Sequence, residues 1–321
     1  MQILEIIGKN EQVQVKDLVK ELGLTAASIH RALNKLMQAG QVSKKGSAPK
    51  VFYFIPAKTP HRPIVDIPND LLQILEKEYL YISPTGNIIK GLDGFLTWMR
   101  ATNNRQNIEN CIKDYIEILS EANSHKNKNL IEATDRFNKI FSHLYLDQTY
   151  YYDFYSLIRF GKTKIGHYLH HGKQAQNIKV IKTISELIQK PLADILKTEK
   201  IDAIAWVPHS IPRKIPFLKE LQKNLKLSLP TIEIIKAYQG EVPVAQKSLG
   251  KVEERIQNAK ETMVVVPLDI TYKKVLLIDD AVGSGATMNE IAKKLKDRGV
   301  KHVVGFAIVG SYKGFEVIKE V

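Results

Sequence analysis

The sequence predicts an α/β protein in three parts: a small helical unit ending in a hairpin, a mainly helical middle region, and a Rossmann-like C-terminal domain. Three observations predict it. Apolar residues recur at helical spacing over residues 3–36 and again over 70–148. From residue 178 onward, short apolar runs such as Val275-Leu276-Leu277-Ile278 alternate with helical stretches, the pattern of a parallel sheet covered by helices. The length, 321 residues, accommodates about two domains with an insert. The expected organisation is a first domain at 1–57, a linker at 58–69, a helical insert at 70–149 and the α/β domain at 150–321.

In the first part, Ile3, Leu4, Ile6 and Ile7 give a short helix its apolar stripe. Val15, Leu18, Val19 and Leu22 repeat at helical spacing until Gly23 stops them, and Thr25 offers an N-cap for a third helix that buries Ile29, Leu33 and Leu36. Gly40 ends that helix. Val42, a turn over residues 44–50 and a strand Val51-Phe52-Tyr53-Phe54-Ile55 follow. Helix, helix, the tight turn Glu21-Leu22-Gly23-Leu24-Thr25, helix and basic hairpin together resemble the winged helix-turn-helix family over about 55 residues. The resemblance implies a third helix in the major groove of DNA and a wing on phosphates. Its outward residues Ser28, His30, Arg31 and Asn34 are then the base readers, while Lys35, Lys44, Lys45 and Lys50 neutralise backbone.

Pro56, Pro60, Pro63 and Pro68 mark the linker. Helices are expected at 71–75, 95–99, 108–119 and 130–145, with a small hairpin about Ser83-Pro84-Thr85-Gly86-Asn87. The run Tyr150-Tyr151-Tyr152 beside Phe154 and Tyr155 reads as core.

The chemistry lies near the C-terminus. Val275-Leu276-Leu277-Ile278 delivers Asp279 and Asp280 to the carboxyl end of a strand, where open α/β sheets bind ligands. Ala281-Val282-Gly283-Ser284-Gly285-Ala286-Thr287 then leads into a helix at 288–298, and His302 opens another strand. Backbone N–H groups at such a helix start form an anion cradle, to which Ser284 and Thr287 add hydroxyls. Gly283 and Gly285 let the backbone approach a phosphate closely. Two carboxylates beside a phosphate cradle repel it unless they bind something else, such as sugar hydroxyls. The combination asks for a phosphorylated sugar.

This run resembles the phosphoribosyl-pyrophosphate (PRPP) motif of type I phosphoribosyltransferases: four apolar residues, two acids and a loop closing on Thr-Gly-Ala-Thr. Gly283 stands where that motif commonly has a hydroxyl residue. Val207-Pro208-His209-Ser210-Ile211-Pro212-Arg213-Lys214 follows a strand at the position of the family's pyrophosphate loop. Gln246, Leu249, Arg255 and Asn258 resemble a Gln-x-x-Leu-x-x-x-x-Arg-x-x-Asn stretch of ComF-like phosphoribosyltransferases, with Arg255 one position late. The expected Arg-Gly-Phe-Asn-like sequence is replaced by Lys214-Ile215-Pro216-Phe217-Leu218. The resemblance implies that loop 281–287 takes the 5′-phosphate and that Asp279 and Asp280 take the ribose hydroxyls. Pro208, His209, Ser210 and Arg213 then face the leaving pyrophosphate, and Lys251 and Arg255 approach from a flap. It also implies Mg2+, held mainly through PRPP, with no metal site built by the protein.

Lys and Arg number 47 against 34 Asp and Glu, a formal charge of +13. Such a balance suits nucleic acid or other phosphate-bearing partners. The excess is +4 in residues 1–70, −1 in 71–149 and +10 in 150–321. The one cysteine, Cys111, excludes an internal disulfide, and the N-terminus lacks a signal peptide's basic start and apolar core. No apolar run reaches the ~18 residues of a membrane span, so a cytoplasmic protein is expected. Three functions stay open: a phosphoribosyltransferase directed by a winged helix, a non-catalytic PRPP-sensing transcriptional regulator, and an effector of a retron-type antiphage system with a nucleic-acid partner. A purine-repressor-like arrangement resembles the second. A homodimer is expected in each, and a larger nucleoprotein complex in the third.

Overall fold

A computed structural model describes residues 2–56, 67–209, 213–238, 240 and 248–312. The chain divides into two compact units, Met1–Ile64 and Val65–Val321.

In the first unit, α1 (Gln2–Asn10), α2 (Val15–Leu22) and α3 (Ala26–Gln38) precede a hairpin of β1 (Ser43–Ser47) and β2 (Lys50–Phe54). Gly23 ends α2 in the left-handed region at φ +66°, its N–H donating to the Val19 carbonyl at 3.0 Å. Thr25 Oγ1 accepts from the Ser28 amide at 3.3 Å and starts α3. Ile7, Leu18, Ile29 and Leu33 are fully buried, and Val13 bridges Tyr53 to tie the hairpin onto the helices. The hairpin is longer than expected. Lys44 and Lys45 pair with Tyr53 and Phe52 as strand residues, and the turn is confined to Ala48 and Pro49. The ladder to β2 holds these exposed lysines extended.

The second unit opens with α4 (Asn69–Glu78), the hairpin β3 (Leu80–Ile82) and β4 (Ile88–Lys90), α5 (Gly91–Ala101) and α6 (Ile108–Ser124). Next come β5 (Lys126–Asn127), β6 (Leu130–Glu132), α7 (Thr134–Asn138) and β7 (Gln148–Phe154). The helix expected over 130–145 is therefore a strand, one helical turn and an irregular segment. Ile131 pairs with Tyr151, so the open edge of β7 captures these apolar residues. Glu132 Oε1 then accepts the Thr134 amide at 3.0 Å, which starts α7 late.

After β8 (Ser156–Leu157) and β9 (Gly161–Lys162) the chain runs through α8 (Lys164–Gln174), α9 (Ile178–Thr198), β10 (Ala203–Trp206) and α10 (Phe217–Leu225). It continues with β11 (Thr231–Ile232), β12 (Ile234–Lys236), α11 (Val252–Thr262), β13 (Met263–Val265), β14 (Lys274–Val282), α12 (Ala286–Asp297) and β15 (His302–Gly310). One sheet orders its strands β11-β10-β14-β15-β7-β6-β5. The pairs from β11 to β7 are parallel, and β6 and β5 add an antiparallel edge. Val275, Leu276, Leu277 and Ile278 are all fully buried, as a central parallel strand covered on both faces requires. Tyr151 is buried and its neighbours Tyr150 and Tyr152 half-buried, so this aromatic run is core. Among the described residues, no helix is long and apolar enough to cross a membrane.

Candidate functional site

β14 carries the acid pair to its carboxyl end and does not stop there. Ala281 and Val282 still pair with Val309 and Gly310 of β15, so the connecting loop is only Gly283-Ser284-Gly285. Ala286 and Thr287 belong to the first turn of α12. Gly285 caps that helix at φ +77°, a left-handed conformation that glycine adopts without a Cβ penalty. Its carbonyl accepts the Asn289 amide at 2.9 Å, and the buried Ser284 Oγ lies 3.5 Å from the Ala286 amide. The turn thus brings a helix N-terminus to the end of the acid-bearing strand.

Adjacent strand residues face opposite sides of a sheet. Asp279 Oδ1 accepts the Asp280 amide at 2.7 Å. Burial, and then the Asp280 charge, push the Asp279 carboxyl up to about 7, against the opposing pull of Lys173 and of the Asp280 amide. Asp280 is 9% exposed and pairs with Lys173 Nζ at 2.7 Å.

Lys173 is the cation that sequence reasoning missed. It lies at the end of α8, far from the acids in the chain, and only the packing of α8 beside the sheet brings it there. The same turn holds the neighbouring strand's loop: Arg213 donates Nη1 to the Lys173 carbonyl, and Gln176 Oε1 accepts the Ile215 amide at 2.7 Å. Pro208 and His209 follow β10, whose end is tied to β14 by the Val207 amide on the Ile278 carbonyl at 2.9 Å. The acids, the short glycine loop, Pro208 and His209 therefore gather at the carboxyl ends of two adjacent strands, and Arg213 is anchored on the turn that carries Lys173. Ser210 and Gln246 lie outside the described residues.

Lys251 and Arg255 stand at the start of α11, which packs on α12. Lys251 is exposed, its amide 3.3 Å from Glu254 Oε2. Arg255 is 8% exposed and donates Nε to the Leu249 carbonyl at 2.9 Å, which closes the turn before α11. The middle region also reaches the loop. A Cβ on Gly285 would lie 2.7 Å from the Phe137 ring, and Phe137 of α7 is 1% exposed. Its neighbour Arg136 donates Nη1 to Tyr151 Oη at 2.9 Å and to the Ser311 carbonyl, tying α7 to β7 and to the end of β15.

In the first unit, Ser28, His30, Arg31, Asn34 and Lys35 all lie exposed on α3, opposite the buried Ile29 and Leu33. Ser28 Oγ is 3.0 Å from Thr25 Oγ1 and so takes part in the helix cap. Lys44, Lys45 and Lys50 are exposed on the hairpin, with Lys45 Nζ 5.3 Å from the centre of the Phe54 ring.

A mostly parallel sheet with an acid pair and a glycine turn into a helix at its carboxyl end defines a Rossmann-like domain with a glycine-containing strand–loop–helix unit. Residues 175–313 match the family model of the phosphoribosyl transferase domain, and residues 1–49 match that of the MarR family. Solved structures similar to the chain include a hypoxanthine phosphoribosyltransferase of Staphylococcus aureus, 15% identical over 41% of this chain and 66% of that one, with a TM-score of 0.25. A purine phosphoribosyltransferase of Pyrococcus horikoshii is 19% identical over 40% of this chain and 83% of its own, with a TM-score of 0.25. A hypoxanthine-guanine phosphoribosyltransferase of Bacillus anthracis is 15% identical over 42% and 70%, with a TM-score of 0.27. The chain thus spans just under two thirds of the first of these enzymes. No curated protein matches it. The C-terminal unit contains a domain of the type I phosphoribosyltransferase fold, and the N-terminal unit has a winged-helix fold over the stretch that matches the MarR family model.

Proposed function

We propose that the chain binds PRPP at the carboxyl ends of β10 and β14 and transfers its phosphoribosyl group to a base, with the winged helix directing the protein to DNA. The observation that carries this reading is the junction at Gly285, where a helix N-terminus meets two adjacent carboxylates. The amides of Ser284 to Thr287 hold the 5′-phosphate, and Asp279 and Asp280 accept the ribose hydroxyls. Arg213 supplies positive charge on the side where pyrophosphate departs. In such a transfer the bond from C1 of the ribose to pyrophosphate breaks as the bond to the base nitrogen forms. The protein's part is to orient the ribose and balance the charge that develops. Among the described residues no three His, Cys, Asp or Glu gather to hold a metal ion. The donor set fits Mg2+ carried on the ligand's phosphate oxygens beside one or two carboxylates. There the ion would neutralise the departing pyrophosphate.

We further read residues 249–258 as a ComF-like flap. The hydrogen bond from Arg255 to the Leu249 carbonyl supports this, because it joins two positions of that motif into one turn. On the winged helix, α3 residues Ser28, His30, Arg31 and Asn34 read bases, and Lys35, Lys44, Lys45 and Lys50 contact phosphates.

The test is calorimetric titration with PRPP and magnesium, then pyrophosphate release over a panel of bases. Asp279→Asn with Asp280→Asn should lower PRPP affinity by at least about tenfold, the worth of one charge-assisted hydrogen bond, with the circular dichroism spectrum unchanged. Unchanged affinity refutes the site. Binding without release by any base replaces the transferase with a PRPP-responsive regulator or effector.

A further inference from the structure

We propose that Lys173 is a positioning residue of the ribose site: its ammonium holds the Asp280 carboxylate in the orientation that accepts a ribose diol. This rests on the phosphoribosyl reading above and adds a group that neither the acid–glycine motif nor the matched stretch 175–313 contains.

The geometry supports it in three ways. The two side chains are only 21% and 13% exposed, and their 2.7 Å separation is that of a charge-assisted hydrogen bond. An exposed ion pair samples many arrangements, whereas one so far removed from water keeps its carboxylate in place. Lys173 Nζ contacts Oδ2, and a carboxylate has about four lone-pair sites, so acceptor capacity remains for hydroxyls. The main-chain carbonyl of Lys173 also receives Arg213, so a single turn of chain fixes both the acid and the arginine on the pyrophosphate side. Replacing the side chain leaves that carbonyl in place. A substitution at Lys173 therefore tests the ammonium separately from the Arg213 anchor.

A lysine that merely neutralises a buried acid would affect folding without choosing among ligands. A positioning lysine acts only on ligands that carry the diol. The experiment is calorimetry at pH 8 on the full chain with two probes, ribose 5-phosphate and inorganic phosphate. Lys173→Met should weaken ribose 5-phosphate about tenfold, as loss of one well-oriented charged hydrogen bond does. Inorganic phosphate, which needs only the Gly283–Thr287 cradle, should keep its affinity within about twofold. Lys173→Cys guards against a folding defect: the cysteine form should behave like Met, and aminoethylation, which restores an ammonium at nearly the same reach, should recover ribose 5-phosphate affinity. The other cysteine, Cys111, is fully buried.

Equal affinity of the wild type and Lys173→Met for ribose 5-phosphate overturns the proposal. So does a parallel loss for both probes, which marks a diffuse electrostatic effect, and so does aminoethylation without recovery. If the wild type binds phosphate but not ribose 5-phosphate, the phosphoribosyl reading itself fails.

Discussion

Gly285→Ala should destabilise the protein through both its backbone and its packing. The cost has two parts. At φ +77° an alanine occupies the left-handed region, which costs about 1–2 kcal/mol. The new methyl also meets Phe137 Cε1 at 2.7 Å and Cδ1 at 2.8 Å. That ring cannot swing aside, being 1% exposed and part of the main core, so the contact behaves as overpacking at about 1–3 kcal/mol. The sum, about 2–5 kcal/mol, is a large part of the ~5–15 kcal/mol that holds an ordinary domain together.

The two parts can be separated. Gly86 has nearly the same dihedral, φ +82°, but nothing within 4 Å of a Cβ placed there. Gly86→Ala therefore carries the backbone term alone, about 1–2 kcal/mol, together with the same entropy change in the unfolded chain. Urea unfolding of both variants gives the packing term by difference. Adding Phe137→Leu should relieve Gly285→Ala, with a coupling of about 1–3 kcal/mol in a double-mutant cycle. PRPP affinity of Gly285→Ala should fall as the helix start is displaced. If Gly285→Ala is no more destabilising than Gly86→Ala, or if Phe137→Leu gives no relief, Phe137 of α7 does not pack against the Gly283–Gly285 turn.

Asp279 makes stability depend on pH in an unusual direction. Its folded-state value lies above that of an ordinary carboxylate, so the folded protein holds this proton more tightly than the unfolded chain does. The stabilisation is fully present in acid and is lost as pH rises through about 7. Asp279→Asn should therefore gain stability relative to the wild type as pH rises from about 4 to about 7, the window between the ordinary carboxylate value and the folded one, and a pH-independent difference would refute the assignment. Lys173→Met should widen this gap and Asp280→Asn narrow it, since the two groups pull Asp279 in opposite directions. On the winged helix, Lys44→Ala with Lys45→Ala should weaken DNA binding and reduce the slope of log affinity against log salt by about two, one for each lost phosphate contact. An unchanged slope would make the hairpin a protein-docking surface.

What could be read from the sequence follows how local each feature is. The acid pair, the glycine turn and the start of α12 occupy one short segment, so apolar run, charge and glycine stand together in the text. Thr25 and Gly23 are legible for the same reason: a cap is satisfied within one helical turn. Leu130, Phe137, Phe141 and Leu144 show the opposite case. Their spacing suits one long helix, yet β7 offers an unpaired edge and Ile131 takes it. Helical periodicity records only that one face is apolar, and the partner that covers the face decides whether it becomes helix or strand.

The same reasoning explains why the supports of the site were invisible. Phe137 and Lys173 carry no motif, and each reaches the site by a tertiary contact from well outside the segment that announces it. Both lie on the N-terminal side of the matched phosphoribosyl transferase stretch. The middle region is thus more than a spacer between a winged helix and an α/β domain. Its β5-β6 hairpin extends the central sheet, and its α7 fills the space that the missing Cβ of Gly285 leaves. The last turn of α8 then ties the second acid to Arg213, which follows the adjacent strand. The three-residue loop turns against an aromatic ring that fills the space beside its glycine, and the acid that precedes it on β14 is held by an ammonium from α8, so each part of the candidate site leans on a different element.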